Sequence, residues 1–229
     1  YIVDMLLLAN EEQNLGVTIY ATGRSRERLG LRFPLPAECL VLTEHDLAEE
    51  IPFDHPVDFI VHAASNAYPA AFHQDPVGTI IANILGTNRL LAYGARHAAK
   101  RFLFVSSGEV YGNGETGPEG FAEPYSGYID PTDPRSCYPS SKRAAETLCV
   151  SFTKQFGLPS VIARPCHTFG PNATAADNRA NVQFIQNVLR DEDIVLKSTG
   201  EQLRSYCYIA DCASALLSVL LCGASQNAY

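Results

Sequence analysis

The feature that most constrains this chain is its alternation of short, continuous apolar runs with longer helical patterns. Val17 to Ala21, Cys39 to Leu42, Asp58 to His62, Phe102 to Val105 and Ser160 to Ala163 each read as a strand. Ile80 to Ala98 and Tyr138 to Phe156 carry the helical period. Strands that are apolar on both faces and separated by helices predict a parallel sheet covered on both sides, which is a doubly wound α/β fold. The 229 residues suffice for one large α/β domain, or one domain with a small annex. Apolar residues make up 46% of the chain and charged residues 18%, enough to bury a sizeable core and too apolar for disorder.

Proline and glycine concentrate between Gly112 and Pro139. That stretch is expected to be a loop at the carboxyl ends of the strands, where open α/β sheets bind ligands. After Pro165 the alternation weakens, which predicts a first domain over residues 1–165 and a partial substrate-binding annex over 166–229. The chain opens on a helical pattern, Ile2 to Asn10, whereas a doubly wound fold opens with a strand, a glycine-rich turn and a helix. The expectation is therefore a sequence trimmed at both ends, lacking its first strand and nucleotide-binding glycine loop.

The formal net charge is −8, and no basic run of five or more occurs, which argues against nucleic acid as a partner. A local positive pocket for a small anionic substrate remains compatible with that charge. No apolar run reaches the ~18 residues of a transmembrane helix, and no basic–apolar–small leader opens the chain, so no membrane anchoring is expected. The seven cysteines are odd in number and contain no Cys-x-x-Cys pair, which favours reduced thiols and a cytoplasmic location. Asn172-Ala173-Thr174 fits a glycosylation acceptor and is read as chance in that compartment. His45, His55, His73 and His97 show no ligand spacing, and no metal site is expected. Tyr111 and Tyr125 are read as loop packing.

Chemistry is carried first by Tyr138-Pro139-Ser140-Ser141-Lys142. A Tyr and a Lys four apart share one helix face. A nearby ammonium favours the phenolate, so the tyrosine pKa is expected to fall and the phenol to become a usable base. Upstream, the apolar strand of Phe104-Val105 runs into Ser106, Ser107, Gly108 and Glu109. A serine hydroxyl at a strand end can orient a reacting hydroxyl oxygen, and the carboxylate can serve as a second acid or base. The plain alternative is a polar strand exit with Glu109 a solvated loop acid.

With these residues in order, the chain resembles an extended short-chain dehydrogenase/reductase of the nucleotide-sugar epimerase, dehydratase and decarboxylase group. Asp46-Leu47 resembles the pair that contacts adenine, and His62-Ala63-Ala64 the strand-end motif along the dinucleotide. Asn83 with Gly86-Thr87 resembles the Asn-x-x-Gly-Thr of the following helix, and Ser107, four before Tyr111, stands where the family has its catalytic Ser or Thr. Arg164-Pro165 with Phe169-Gly170-Pro171, and Gly200 to Arg204 with Tyr208 to Asp211, resemble the late substrate-facing segments. The resemblance implies a Rossmann-like fold in which Tyr138 takes a proton from a sugar hydroxyl, at carbon 4, as a nicotinamide accepts the hydride. Lys142 and Pro165 would contact the cofactor, Ser107 would orient the hydroxyl, and His167, Gln183 and Arg204 would meet the substrate, a UDP- or dTDP-sugar. It also implies a homodimer through two helices per subunit.

Three departures leave questions open. Ser107-Gly108-Glu109 differs from the Thr-Asp-Glu of the 4,6-dehydratases and retains the carboxylate that plain 4-epimerases often lack, so decarboxylase or dehydratase chemistry stands slightly ahead. His167 stands where the family has asparagine, with a buried core histidine as the alternative. Arg24 stands where an NAD enzyme often has an acid, and an arginine there can accept a 2′-phosphate. The cofactor expected is NAD, with NADP as the alternative. The rival functions are an NADP-dependent keto reductase and a non-catalytic dinucleotide-binding regulator.

Overall fold

A computed structural model of the chain describes residues 1–35, 37–67, 69–114, 119–173, 177, 179–196, 199 and 203–229. Thr174 of the glycosylation match and Gly200-Glu201-Gln202 of the late segment lie outside the described residues. Each strand reaches its neighbour through a helical crossover, and crossovers of that kind return the chain parallel. β1 (Ile19–Gly23) pairs parallel with β2 (Leu40–Glu44), Ile19 lying opposite Leu40. β3 (Phe59–His62), β4 (Arg101–Val105) and β5 (Ser160–Ala163) form a three-stranded parallel sheet with β4 central. β6 (His167–Phe169) and β7 (Tyr206–Tyr208) form a third parallel sheet, of two strands.

The helices are α1 (Ile2–Gln13), α2 (Arg26–Arg32), α3 (Pro69–Gln74), α4 (Pro76–Ile81), α5 (Thr87–Arg96), α6 (Cys137–Phe156), α7 (Ala180–Leu189) and α8 (Ile209–Cys222). Alternation along β4 explains why both faces are apolar. Phe102 and Phe104 point into a cluster with Ile60, Leu91, Ala145, Cys149 and Leu158, beneath α5 and α6. Leu103 points the other way, into Val161, Cys212, Leu216 and Leu220, beneath α8. The sheet is thus covered on both sides, as expected of a doubly wound fold. The segment after Pro165 contributes the β6–β7 pair and α7. It then returns to the sheet through α8 and through Tyr229, whose backbone carbonyl accepts from Arg164 at 2.7 Å.

The helix expected over residues 80–98 begins earlier and is not uniform. Asp75 caps α4 by accepting from Gly78 N at 2.8 Å, and Pro76 stands in the first turn. Between α4 and α5 the turn widens to π geometry over Ala82–Gly86. Such wide turns occur mostly as single-turn bulges, frequently at functional sites. Here the bulge buries Asn83 completely and lets its amide reach Ser141 Oγ on α6 at 2.9 Å. Gly86 closes the bulge against Leu47, where a Cβ would come within 2.9 Å of the leucine's own Cβ. α6 ends at Gly157, which takes the left-handed conformation (φ 75°) that favours glycine at a helix C-terminus.

Candidate active site

The parallel register sends the carboxyl ends of the strands in one direction, and the expected site residues follow them. β4 exits at Val105 into Ser106 and Ser107, and α6 crosses that exit with its first turns. Three successive exit residues each meet a different α6 side chain. The Val105 carbonyl accepts from Lys142 Nζ at 2.8 Å. Ser106 Oγ donates to Glu146 Oε1 at 2.6 Å. The Ser107 hydroxyl stands near the Tyr138 phenol and acts to favour its phenolate. Tyr138 is 6% exposed and Lys142 2%, so the pair sits in the wall of the site and not on a solvated helix face.

The structure corrects one expectation about that pair. The Tyr138 phenol is held above its ordinary pKa, chiefly by burial, with Ser107 and Arg135 opposing and Glu109 reinforcing the rise. Lys142 does not lower it. Its ammonium is turned to the Val105 carbonyl and over the Phe104 ring, 4.6 Å from the centroid, against 5.7 Å to the centroid of Tyr138. Burial also acts on the lysine, lowering it to about 8 against the pull of Glu146 and Cys149.

Glu109 lies in a short 3-10 turn, Gly108–Tyr111, that Ser107 caps by accepting from Glu109 N at 3.2 Å. It is not a free loop acid. Arg135 Nη2 donates to both carboxylate oxygens, at 2.9 and 2.8 Å. The same guanidinium lies 4.5 Å from the centroid of Phe72, and Phe72 stacks on Tyr138 at 4.5 Å and 22°. Arg135, Phe72 and Tyr138 therefore form one stack beside the carboxylate.

His62, at the end of β3, is 1% exposed and pushed down to about 3 by burial and then by Lys142. Thr87 Oγ1 donates to the Asn83 carbonyl at 2.5 Å, so its oxygen accepts from His62 Nε2 at 3.0 Å. That assigns the proton to Nε2 and leaves Nδ1 buried without a partner among the described residues. Ala63 and Ala64, small and exposed, follow it. Ser65 Oγ donates to Asn83 Oδ1 at 2.8 Å, joining this loop to Asn83 and through it to Ser141.

Elsewhere on this edge, Arg24 donates to Asn66 Oδ1 at 3.5 Å, and Asp46 Oδ1 accepts from Ala48 N at 2.9 Å. Leu47 packs on Gly86, and the Pro165 carbonyl accepts from Gly108 N at 3.1 Å. The residues present fit an extended dinucleotide: small exposed side chains after β3, a tight Leu47–Gly86 contact, and an ammonium at the β4 exit.

His167 is exposed, which sets aside its reading as a core histidine. Its pKa is lowered by burial, then by Arg204 and Arg179, while Glu109 opposes. His167, Arg179, Arg204 and Glu109 thus share one electrostatic neighbourhood. Arg179 is paired with Asp177, Nη2 to Oδ2 at 2.6 Å, and donates to the Thr168 carbonyl at 3.3 Å. Gln183 lies in the first turn of α7, exposed. Arg135, Arg179, Glu146 and Phe72 are the parts of this region not singled out from sequence. Glu146 had a signal, since it continues the Tyr138–Lys142 spacing by one more turn. No group of three or more His, Cys, Asp or Glu residues able to hold a metal occurs among the described residues. None of the helices described is long and apolar enough to cross a membrane.

A parallel α/β sheet covered on both faces, with a buried Tyr–Lys turn at the exit of its central strand, defines a Rossmann-like protein of the dehydrogenase/reductase type. The chain belongs to the NAD dependent epimerase/dehydratase family, whose model matches residues 2–229. It is 34% identical over 220 residues to UDP-glucuronic acid decarboxylase 1 of Xenopus tropicalis, covering 96% of this chain and 50% of that protein. The chain thus spans half the length of that relative. UDP-glucose 4-epimerase of Thermotoga maritima, solved with UDP-glucose, superposes with a TM-score of 0.83 at 21% identity, covering 100% of this chain and 71% of that one. A dTDP-glucose 4,6-dehydratase of Streptomyces venezuelae, solved with NAD, gives 0.81 at 20% identity, covering 100% and 70%. At these identities the two structures speak to the fold.

Proposed function

We propose that this chain is the cofactor-binding and catalytic part of an NAD-dependent enzyme that decarboxylates a nucleotide-linked uronic acid, UDP-glucuronate in the first instance. The observation that carries the reading is a carboxylate, Glu109, held by Arg135 in the electrostatic neighbourhood of Ser107 and Tyr138. Plain epimerisation does not call for such a group. The curated relative supports the choice of substrate.

NAD, when bound, would supply the hydride acceptor for carbon 4 and the donor that returns the hydride after the carboxyl group has left, so that the cycle is redox-neutral. Residues from Asp46-Leu47, His62-Ala63-Ala64, Asn83 and Pro165 would hold it, with Lys142 at the β4 exit. Tyr138 removes the proton of the sugar hydroxyl at carbon 4 while Ser107 orients that hydroxyl. Glu109 then holds or moves the proton needed as the carboxyl group leaves and its carbon is reprotonated. Arg179 and Arg204 offer a cationic neighbourhood for the substrate diphosphate beside a neutral His167, and Gln183 contributes from α7. Residues 1–165 serve the cofactor, the β6–β7 pair and α7 provide the substrate side, and α8 belongs to the covering of the central sheet and not to the annex expected over 166–229. We further propose a homodimer in the cytoplasm.

The test is product mass with the full-length protein, NAD and UDP-glucuronate. Release of carbon dioxide with a UDP-pentose product is expected. An isomer of unchanged mass would replace this reading with epimerisation. Loss of water from UDP- or dTDP-glucose, without decarboxylation, would replace it with dehydration.

A further inference from the structure

Glu146 contributes neither to the proton transfer proposed above nor to cofactor or substrate binding, yet its carboxylate is fully engaged in the wall of the site. It lies on α6 one turn beyond Lys142 and is 8% exposed. Oε1 accepts from Ser106 Oγ at 2.6 Å and from Arg164 Nε at 2.9 Å, and Oε2 accepts from Arg164 Nη2 at 2.7 Å. Arg164 reaches onward to the Glu123 carbonyl at 2.8 Å and lies over the Tyr111 ring, 5.1 Å from its centroid. One buried carboxylate therefore ties together the exit of β4, the end of β5 and the loop that carries Glu123.

A buried charge persists only where its lone pairs are satisfied, and here they are. The arrangement also serves a neighbour. Lys142 is flanked on α6 by Tyr138, Glu146 and Cys149, from β3 by His62, and from β4 by the Val105 carbonyl and the Phe104 ring. Arg164, which follows β5, is engaged by Glu146 and lies over the Tyr111 ring. Among the described residues, Glu146 is the carboxylate that acts on Lys142.

We propose that Glu146 is a positioning residue: it fixes the β4 exit so that Ser107 meets Tyr138, and it keeps the Lys142 ammonium charged. Ser106 and Ser107 are consecutive, so the Ser106–Glu146 bond sets where the Ser107 hydroxyl stands. Burial opposes the charge on Lys142, and Glu146, one helical turn away, acts the other way more strongly than Cys149.

The experiment follows the lysine directly. In full-length protein with ¹³Cε-labelled lysine, the Lys142 resonance is assigned by its loss in Lys142→Met and titrated by NMR. The wild-type midpoint is expected near 8. Glu146→Gln, close in shape, is expected to lower it by about one pH unit or more, the scale of an opposite charge one helical turn away. An unmoved midpoint in folded Glu146→Gln protein overturns the charge role. Ser106→Ala removes one tie and leaves the charge, so it folds more readily and keeps the midpoint. Turnover of Ser106→Ala is expected to fall roughly tenfold with KM unchanged, the scale of one charge-assisted hydrogen bond. Wild-type turnover in Ser106→Ala, or a midpoint shifted as far as that of Glu146→Gln, overturns the positioning role. The turnover arm rests on the proposed reaction. The titration reads no substrate, so it stands or falls independently of that reading.

Discussion

Arg135 grips Glu109 through a single guanidinium nitrogen shared between both carboxylate oxygens, while its flat face rests on Phe72. The two residues are 26 apart in sequence and come from different loops. The ion pair is part-exposed, at 32% and 40% of the side chains, so it adds little to stability. Its consequence is orientation. A carboxylate anchored in this way keeps one position relative to the Ser107–Tyr138 pair, and an arginine stacked on a ring stacked on Tyr138 links that position to the phenol.

Arg135→Lys keeps the charge and loses the planar face that rests on Phe72. It is expected to lower kcat roughly tenfold, the scale of one charge-assisted hydrogen bond. The melting temperature should stay nearly constant, since an exposed pair contributes only ~0–1 kcal/mol. Steady-state kinetics and a thermal melt check both. A large drop in melting temperature with kcat preserved would make the pair a structural one.

Tyr138→Phe retains the stack on Phe72 and removes the hydroxyl that Ser107 meets. Turnover is expected to fall by at least ~10²-fold, the lower end for general acid–base catalysis, with dinucleotide affinity within a few fold. Single-turnover kinetics and a cofactor titration separate the two. A variant keeping a tenth of wild-type turnover would remove Tyr138 from the chemistry.

Much of this was legible in the sequence, and what was not has identifiable causes. β1 to β5 were legible because short parallel strands apolar on both faces, as in β4, share that pattern with few alternatives, whereas the three-residue β6 and β7 carry no such run and were not read. Tyr138, Lys142 and Ser107 were legible because helix and strand-end spacing placed them on one site. The direction of the Tyr138 shift was not. A four-residue spacing sets where Cβ atoms lie, and it leaves a long lysine free to turn its ammonium to the Val105 carbonyl. The π turn at Asn83 was invisible, because nothing in Ala82 to Gly86 distinguishes a wide turn from a regular one. Arg135 was passed over because its partner lies in another loop, and only the folded chain sets them side by side.

Lys142 is held at about 8, below its ordinary 10.5. Below pH 8 both the folded and unfolded states carry the proton, and the folded state bears the whole cost of the buried charge. Between about 8 and 10.5 the folded state releases the proton first, so stability from this residue rises with pH across that window. Lys142→Met is therefore expected to be more stable than wild type at pH 7, by ~2 kcal/mol after allowing for the lost bond to Val105. The difference should shrink above pH 8. Urea unfolding at pH 7 and pH 9.5 measures both, and a Met variant less stable at pH 7 would contradict the assigned burial cost.

His62 gives the opposite window. Its ring is neutral, buried and held down to about 3, against an ordinary 6.5. Above pH 6.5 neither state is protonated and the residue is neutral to stability. As pH falls from 6.5 towards 3, the unfolded chain takes up a proton that the folded chain refuses, so stability is lost progressively. The full loss from this one group is of the order of 5 kcal/mol, taken as an upper bound. His62→Gln can still donate to Thr87 Oγ1 and has no group that titrates in this range. At pH 7 it should be less stable than wild type by ~1–2 kcal/mol, since it forfeits the ring's packing against Phe104. Between pH 6.5 and 4 its stability should fall less steeply, so the two curves approach one another. Urea midpoints at a series of pH values, with the denaturant slope held constant as a check on two-state behaviour, read this directly. Parallel curves for wild type and His62→Gln over that range would mean the ring takes its proton in the folded state, and the neutral Nε2–H assignment would fail with it.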